Sequence, residues 1–255
     1  MRKYVCLCLT VMILATSSTT VLAKDVSSEF GDMEVISENS LSPQSEQSLP
    51  KNRNWFNLLR TTYAGYDLHY SKNMALEGNS MGYIYGQAKC PSFYIGNARM
   101  ESVGCEIAAA YNAIKLRGLT IPCSSIIRAF EKNGYLMTKG FLGSDPYAIG
   151  EYFSTNTVYT LTEYTDYSSM NNLVKNNISA FNVYIVSFWN SESITDGLHT
   201  VCFYTKDGGN KIYIYNKSNS CTDIKEESSF SSYVDSDRFI VGYYVPRMGR
   251  MLNEN

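Results

Sequence analysis

Histidine is the scarcest of the reactive residues here: His69 and His199 are the only two in 255 positions. No closely spaced Cys/His cluster surrounds either, so a metal centre of the usual ligand spacing is excluded and no cofactor is expected. Charge of one sign is equally wanting. Twenty-two Lys+Arg stand against 24 Asp+Glu, a net charge of −2, and the basic residues are scattered rather than striped. That leaves no electrostatic footprint for nucleic acid. Internal repeats and heptads are absent too. Tryptophan occurs twice and tyrosine 21 times, a bias that suits an extracellular, β-containing domain. With 44% hydrophobic and 18% charged residues, the composition supports a sizeable core.

The first 23 residues read as a signal peptide. Arg2 and Lys3 form a basic start, 5–14 an apolar stretch too short to span a bilayer comfortably, and Val21-Leu22-Ala23 a cleavage site. A secreted or cell-surface location follows. Residues 24–52 are serine-rich, acidic and poor in aromatics, the composition of a disordered linker or a pro-segment, with autoinhibition as one role for it. The folded domain is expected over 53–250. Removing Cys6 and Cys8 leaves five of the seven cysteines: Cys90, Cys105, Cys123, Cys202 and Cys221. An odd number leaves at least one thiol unpaired, and the other four can pair or stay reduced.

Within the domain the first half leans to helix and the second to strand. Apolar spacing at Ile107, Ala108, Tyr111 and Ile114 predicts a helix over 105–117, stopped by Gly118. Further helices are expected over 124–133, capped by Ser124 or Ser125, and after "SDPYAIGEYFSTN", where Ser144 or Asp145 caps and Pro146 sits in the first turn. "SMNNLVKNNI" reads as a fourth. The β-branched and aromatic runs 181–189, 198–205, 210–216 and 238–246 read as strands, the middle two joined at Asp207-Gly208. The sum is an α+β domain.

Cys105 opens the alanine-rich helix. A helix N-terminus presents unsatisfied N–H groups and the positive end of the macrodipole, and both favour a thiolate. Ser102 is placed to cap it. Taken alone, this cysteine reads more readily as a small buried hydrophobe. His199 and Asn216 change that reading. A two-residue turn at Asp207-Gly208 pairs Lys206 with Gly209 and sets His199 directly opposite Asn216, above Val201–Ile214 and Phe203–Ile212. An asparagine side-chain carbonyl there can hold an imidazole in the orientation a thiol needs. A three-residue loop would instead put Asn216 on the other face. His69 is the only competing histidine.

Cysteine on a helix, then histidine and asparagine on a sheet, is the papain-like order. "SVGCEIAAAYNAIKLRG", "GFLGSDPYAIGEYF" and "GLHTVCFYTKDGGNKIYIYNKSN" resemble the double-glycine, bacteriocin-processing cysteine peptidases over most of 80–245. The resemblance implies a papain-like fold and hydrolysis of a peptide or protein substrate, with Cys105 as nucleophile, His199 as base and acid, and Asn216 as orienting residue. Arg99 stands where the family has an oxyanion glutamine, and Glu106 where it has glycine. Asn97, Ser102 and the more distant Gln87 are the alternative oxyanion donors. An inactive binding domain on this scaffold and a transglutaminase-like acyl transferase are the other readings of the same residues.

Overall fold

The computed structural model describes residues 49–78, 81–177, 181–192, 197–206 and 211–247. The expected signal peptide, most of the lead-in, the Asp207-Gly208 turn and residues 248–250 lie outside that set.

Chain order runs α1 (Arg53–Leu59), β1 (Arg60–Thr61), α2 (Tyr66–Glu77), a 3-10 turn (Gln87–Lys89), β2 (Tyr94–Ile95), β3 (Ala98–Arg99), α3 (Met100–Val103), α4 (Cys105–Leu116), α5 (Cys123–Lys132) and β4 (Leu136–Met137). A second 3-10 turn (Thr138–Gly140) leads to α6 (Ala148–Asn156), β5 (Thr162–Tyr164), α7 (Tyr167–Asn176), β6 (Phe181–Trp189), β7 (Leu198–Lys206), β8 (Ile212–Tyr215), β9 (Lys225–Glu227) and β10 (Phe239–Val245). Six strands form one antiparallel sheet in the order β5-β10-β6-β7-β8-β9. Helices fill the front of the chain and the antiparallel sheet most of its back, an α+β arrangement.

Alternation along the strands gives the sheet two different faces. Val186, Phe188, Val201, Phe203, Ile212 and Ile214 share one, in an apolar cluster with Met170 and Val174 of α7. Ser187 and Thr200, paired across β6 and β7, point to the other face, against which α4 lies. Every α4 residue from Cys105 to Ile114 is buried, as befits a helix apolar nearly all round. Its four alanines allow close approach, and Gly118 ends the run at φ +81°.

Two caps differ from the sequence expectation. Pro122, not Ser124 or Ser125, occupies the N-cap of α5; Glu77 of α2 reaches across and accepts from Cys123 N at 2.6 Å and Ser124 N at 3.0 Å. Tyr147 precedes α6, while Asp145 accepts from Tyr147 N at 2.8 Å and pairs with Arg60 at 2.5 Å. A buried carboxylate is held by a cation more strongly than by a helix end alone, so Asp145 serves both.

The β7–β8 register also differs. Phe203 faces Ile214 and Thr205 faces Ile212, so each β7 residue meets a partner two places further along than the tight turn predicts. The shift preserves the side-chain faces, because the strand period is two. His199 therefore lies beyond the end of β8, not directly opposite Asn216.

Candidate active site

Three segments meet around the first turn of α4. The first is the α3–α4 junction. Gly104 separates the two helices, and a Cβ there would stand 2.8 Å from Met100 O, so the turn needs glycine for space. Ser102 is exposed on α3, and Gly104 rather than Ser102 is the N-cap. Cys105 is the first residue of α4, 6% exposed.

The second segment is the start of β7. Because β8 stops at Tyr215 opposite Cys202, Thr200 lies where β7 has a neighbour on one side only. Its hydroxyl donates to Glu106, the residue after Cys105, at 3.1 Å. His199, one residue earlier, is 7% exposed, with its ring edge-on to Phe188 at 5.9 Å. Its Nε2 lies 2.7 Å from Asn216 O. A carbonyl oxygen only accepts, so Nε2 carries the proton and the neutral ring keeps a bare Nδ1. Burial lowers the His199 pKa, which leaves the ring neutral at rest.

The third segment is the strap at Tyr85–Gln87. Asn216 ends β8 in the left-handed region at φ +59° and donates its N–H to Tyr85 O at 2.9 Å. Its side chain does not orient the histidine, a correction to the sequence reading; the backbone carbonyl does. The side chain clamps Gln87: Oδ1 accepts from Gln87 N at 2.8 Å, and Nδ2 donates to Gln87 Oε1 at 2.9 Å. These two bonds fix both amides. A backbone N–H demands an oxygen, so the Asn216 nitrogen must face the Gln87 oxygen, and Gln87 Nε2 is left to donate elsewhere. Its one bond, to Glu101 O, is long at 3.5 Å. Gly86 makes the strap possible: a Cβ there would collide with Cys221 O at 2.5 Å and Asn219 O at 2.7 Å.

Of the three expected oxyanion donors, Gln87 alone is buried and joined to the site. Asn97 is exposed at the β2–β3 turn and bonds through its backbone to Lys139 O; Ser102 is exposed. Arg99 turns away, its guanidinium 3.6 Å above the Tyr94 ring and bonded to Ser92 O. His69 belongs to another cluster, with Glu131 and Tyr63.

In the sequence Glu106 stood out only as the residue found where the resembled family has glycine. It is fully buried, and the Cys105 thiol donates to its Oε2 at 3.3 Å. Thr200 Oγ1 donates to Glu106 Oε1 at 3.1 Å, and Ser187 Oγ lies 2.8 Å from Thr200 Oγ1. Burial pushes the Glu106 carboxyl up to about 7, against the hydrogen bonds it accepts. Burial raises the Cys105 thiol well above its ordinary value, with Glu106's charge adding to it. The signal was an acid in the first turn of an otherwise apolar helix.

All five cysteines outside the expected signal peptide are free thiols. Among the described residues no group of three or more His, Cys, Asp or Glu is arranged to hold a metal ion, and no helix is long and apolar enough to cross a membrane. No family model matches the chain, and no curated protein matches it.

Proposed function

We propose that the chain is an exported, papain-like cysteine hydrolase that cleaves amide bonds in a peptide or protein substrate. The observation that carries this reading is the link at Thr200: the residue that directly follows His199 donates its hydroxyl to Glu106, whose other oxygen accepts the Cys105 S–H. A nucleophile at a helix N-terminus and an imidazole with an unprotonated Nδ1 thereby stand on segments linked through Glu106 and Thr200. In the reaction His199 Nδ1 takes the thiol proton and the sulfur attacks the carbonyl carbon. Gln87 Nε2 and the Cys105 backbone N–H donate to the developing oxyanion, and His199 passes its proton to the departing amine. Water, deprotonated by His199, then releases the acid and restores the thiol. Degradation of denatured casein by the mature protein, lost in Cys105→Ala and in His199→Ala, is the expected result; undiminished degradation by both variants would overturn it.

One observation favours a second reading, a peptidase-like binding domain without turnover. The thiol is bonded to Glu106 and nearly covered, the posture of a structural cysteine. A transferase would use the same groups, and product analysis with added glycine methyl ester separates it from a hydrolase.

A further inference from the structure

The carboxyl of Glu106 has no part in the reaction just set out, yet it is the group the thiol touches. Its two oxygens are distinguishable. Oε1 accepts from Thr200 Oγ1, so a proton on the carboxyl sits on Oε2, beside the sulfur. Ionised, Oε2 accepts the S–H and places a negative charge 3.3 Å from the atom that must itself become negative. Protonated, the same oxygen turns donor and can give its hydrogen bond to a thiolate.

We propose that Glu106 is a proton-operated positioning residue for Cys105: the site is competent with Glu106 neutral and braked with Glu106 ionised. This rests on the Cys105–His199 reading. In the competent state the Cys105 S–H bond breaks, the proton goes to His199 Nδ1, and the Glu106 Oε2–H bond stays intact and donates to the sulfur. No proton enters or leaves the site.

The surroundings leave Glu106 free to act this way. From α4 it meets the Cys105 thiol and from β7 the Thr200 hydroxyl, and the loop before α6 brings only the backbone of Ser144 near it. Ser187 of β6 reaches it only through Thr200. Gly143 presents only backbone; a Cβ there would lie 3.6 Å from Glu106 Oε2. Asp145, the nearest acid along that loop, is held by Arg60 and the Tyr147 N–H. Of the groups among the described residues that touch Glu106, the Cys105 thiol alone titrates. The carboxyl's rise to about 7 puts the change of state near neutrality.

An ordinary thiol is alkylated roughly tenfold faster for each unit of pH below its own pKa, because the thiolate is the nucleophile. Iodoacetamide labelling of Cys105, followed site by site by mass spectrometry from pH 5.5 to 8.5, reads the brake directly. In the unmodified sequence the rate is expected to level off or fall through about pH 7. Glu106→Gln, whose amide donates at every pH, should label faster at pH 8 by about tenfold or more. A steady tenfold rise per unit in the unmodified protein overturns the proposal without needing the variant to fold. So does a Glu106→Gln profile that matches it. If labelling is indifferent to His199→Ala, the hydrolase reading fails and the brake with it. If only the Glu106 dependence is missing, the brake alone fails.

Discussion

Asn216 divides its labour between backbone and side chain. The carbonyl holds His199 Nε2–H, and the amide locks Gln87. Asn216→Gly keeps the carbonyl and suits φ +59° but frees Gln87. Alkylation of Cys105, which needs no oxyanion donor, should stay within about twofold, while the p-nitrophenyl acetate acylation burst slows by about 10²-fold. Equal losses in both assays would mean that the side chain serves the imidazole after all. This division was not legible in the sequence. The hairpin gave the right faces because strand alternation is insensitive to a two-residue shift. It gave the wrong partners because Asp-Gly-Gly does not say which of its residues make the turn, and the observed pairing of Thr205 with Ile212 is two places away from the one an Asp207-Gly208 turn dictates. Nor does sequence show that residue 216 leaves the strand in a left-handed conformation, which settles how its carbonyl and amide are used.

At the scale of elements, the site hangs on straps and caps more than on the sheet. Gly86→Ala should push the Gln87 turn off the Cys221 backbone, lowering both the melting temperature and the acylation rate, since the obstructing atoms are main chain. Glu77 caps a neighbouring helix from outside, and its loss in Glu77→Ala should cost about 1–2 kcal/mol in urea unfolding. Between α2 and α5, His69 Nδ1 lies 2.7 Å from Glu131 Oε1, which also accepts from Gly96 N at 2.8 Å, while Oε2 is buried without a partner. An unpartnered buried oxygen is far cheaper protonated than charged. Burial accordingly raises the carboxyl to about 8, and burial lowers His69, so the pair is neutral. A carboxyl whose folded pKa lies above its unfolded value of about 4.5 stabilises fully below that value. That contribution is lost as pH rises through about 8. The melting temperature should fall as pH rises from about 6.5 to about 8 and level off above that, and Glu131→Gln should flatten the fall. Helix α4 was legible beforehand because its alanine spacing and Gly118 stop are local. The caps were not, because Glu77 and Pro122 are brought together only by tertiary packing.

Across the whole molecule, local pattern carried the α+β division: helices crowd the front of the chain, and the long strands β6, β7 and β10 its back. What pattern could not carry was the arrangement around Thr200. Its hydroxyl bonds Glu106 beside Cys105, while its neighbour His199 is held by the carbonyl of Asn216, the residue that clamps the Gln87 strap. Glu106 escaped for a related reason. A buried acid is read from sequence as an exposed one, and only packing shows it closed in by the sheet.

The central claim is that Cys105 reacts because His199 takes its proton. Iodoacetamide labelling at pH 6.5 tests it most directly, with all five thiols quantified in the unmodified protein and in His199→Ala. Cys105, despite its burial, should label at least tenfold faster than Cys123 and Cys202, and His199→Ala should erase the advantage. Equal labelling of Cys105 in both proteins, at the rate of the other buried thiols, would contradict it.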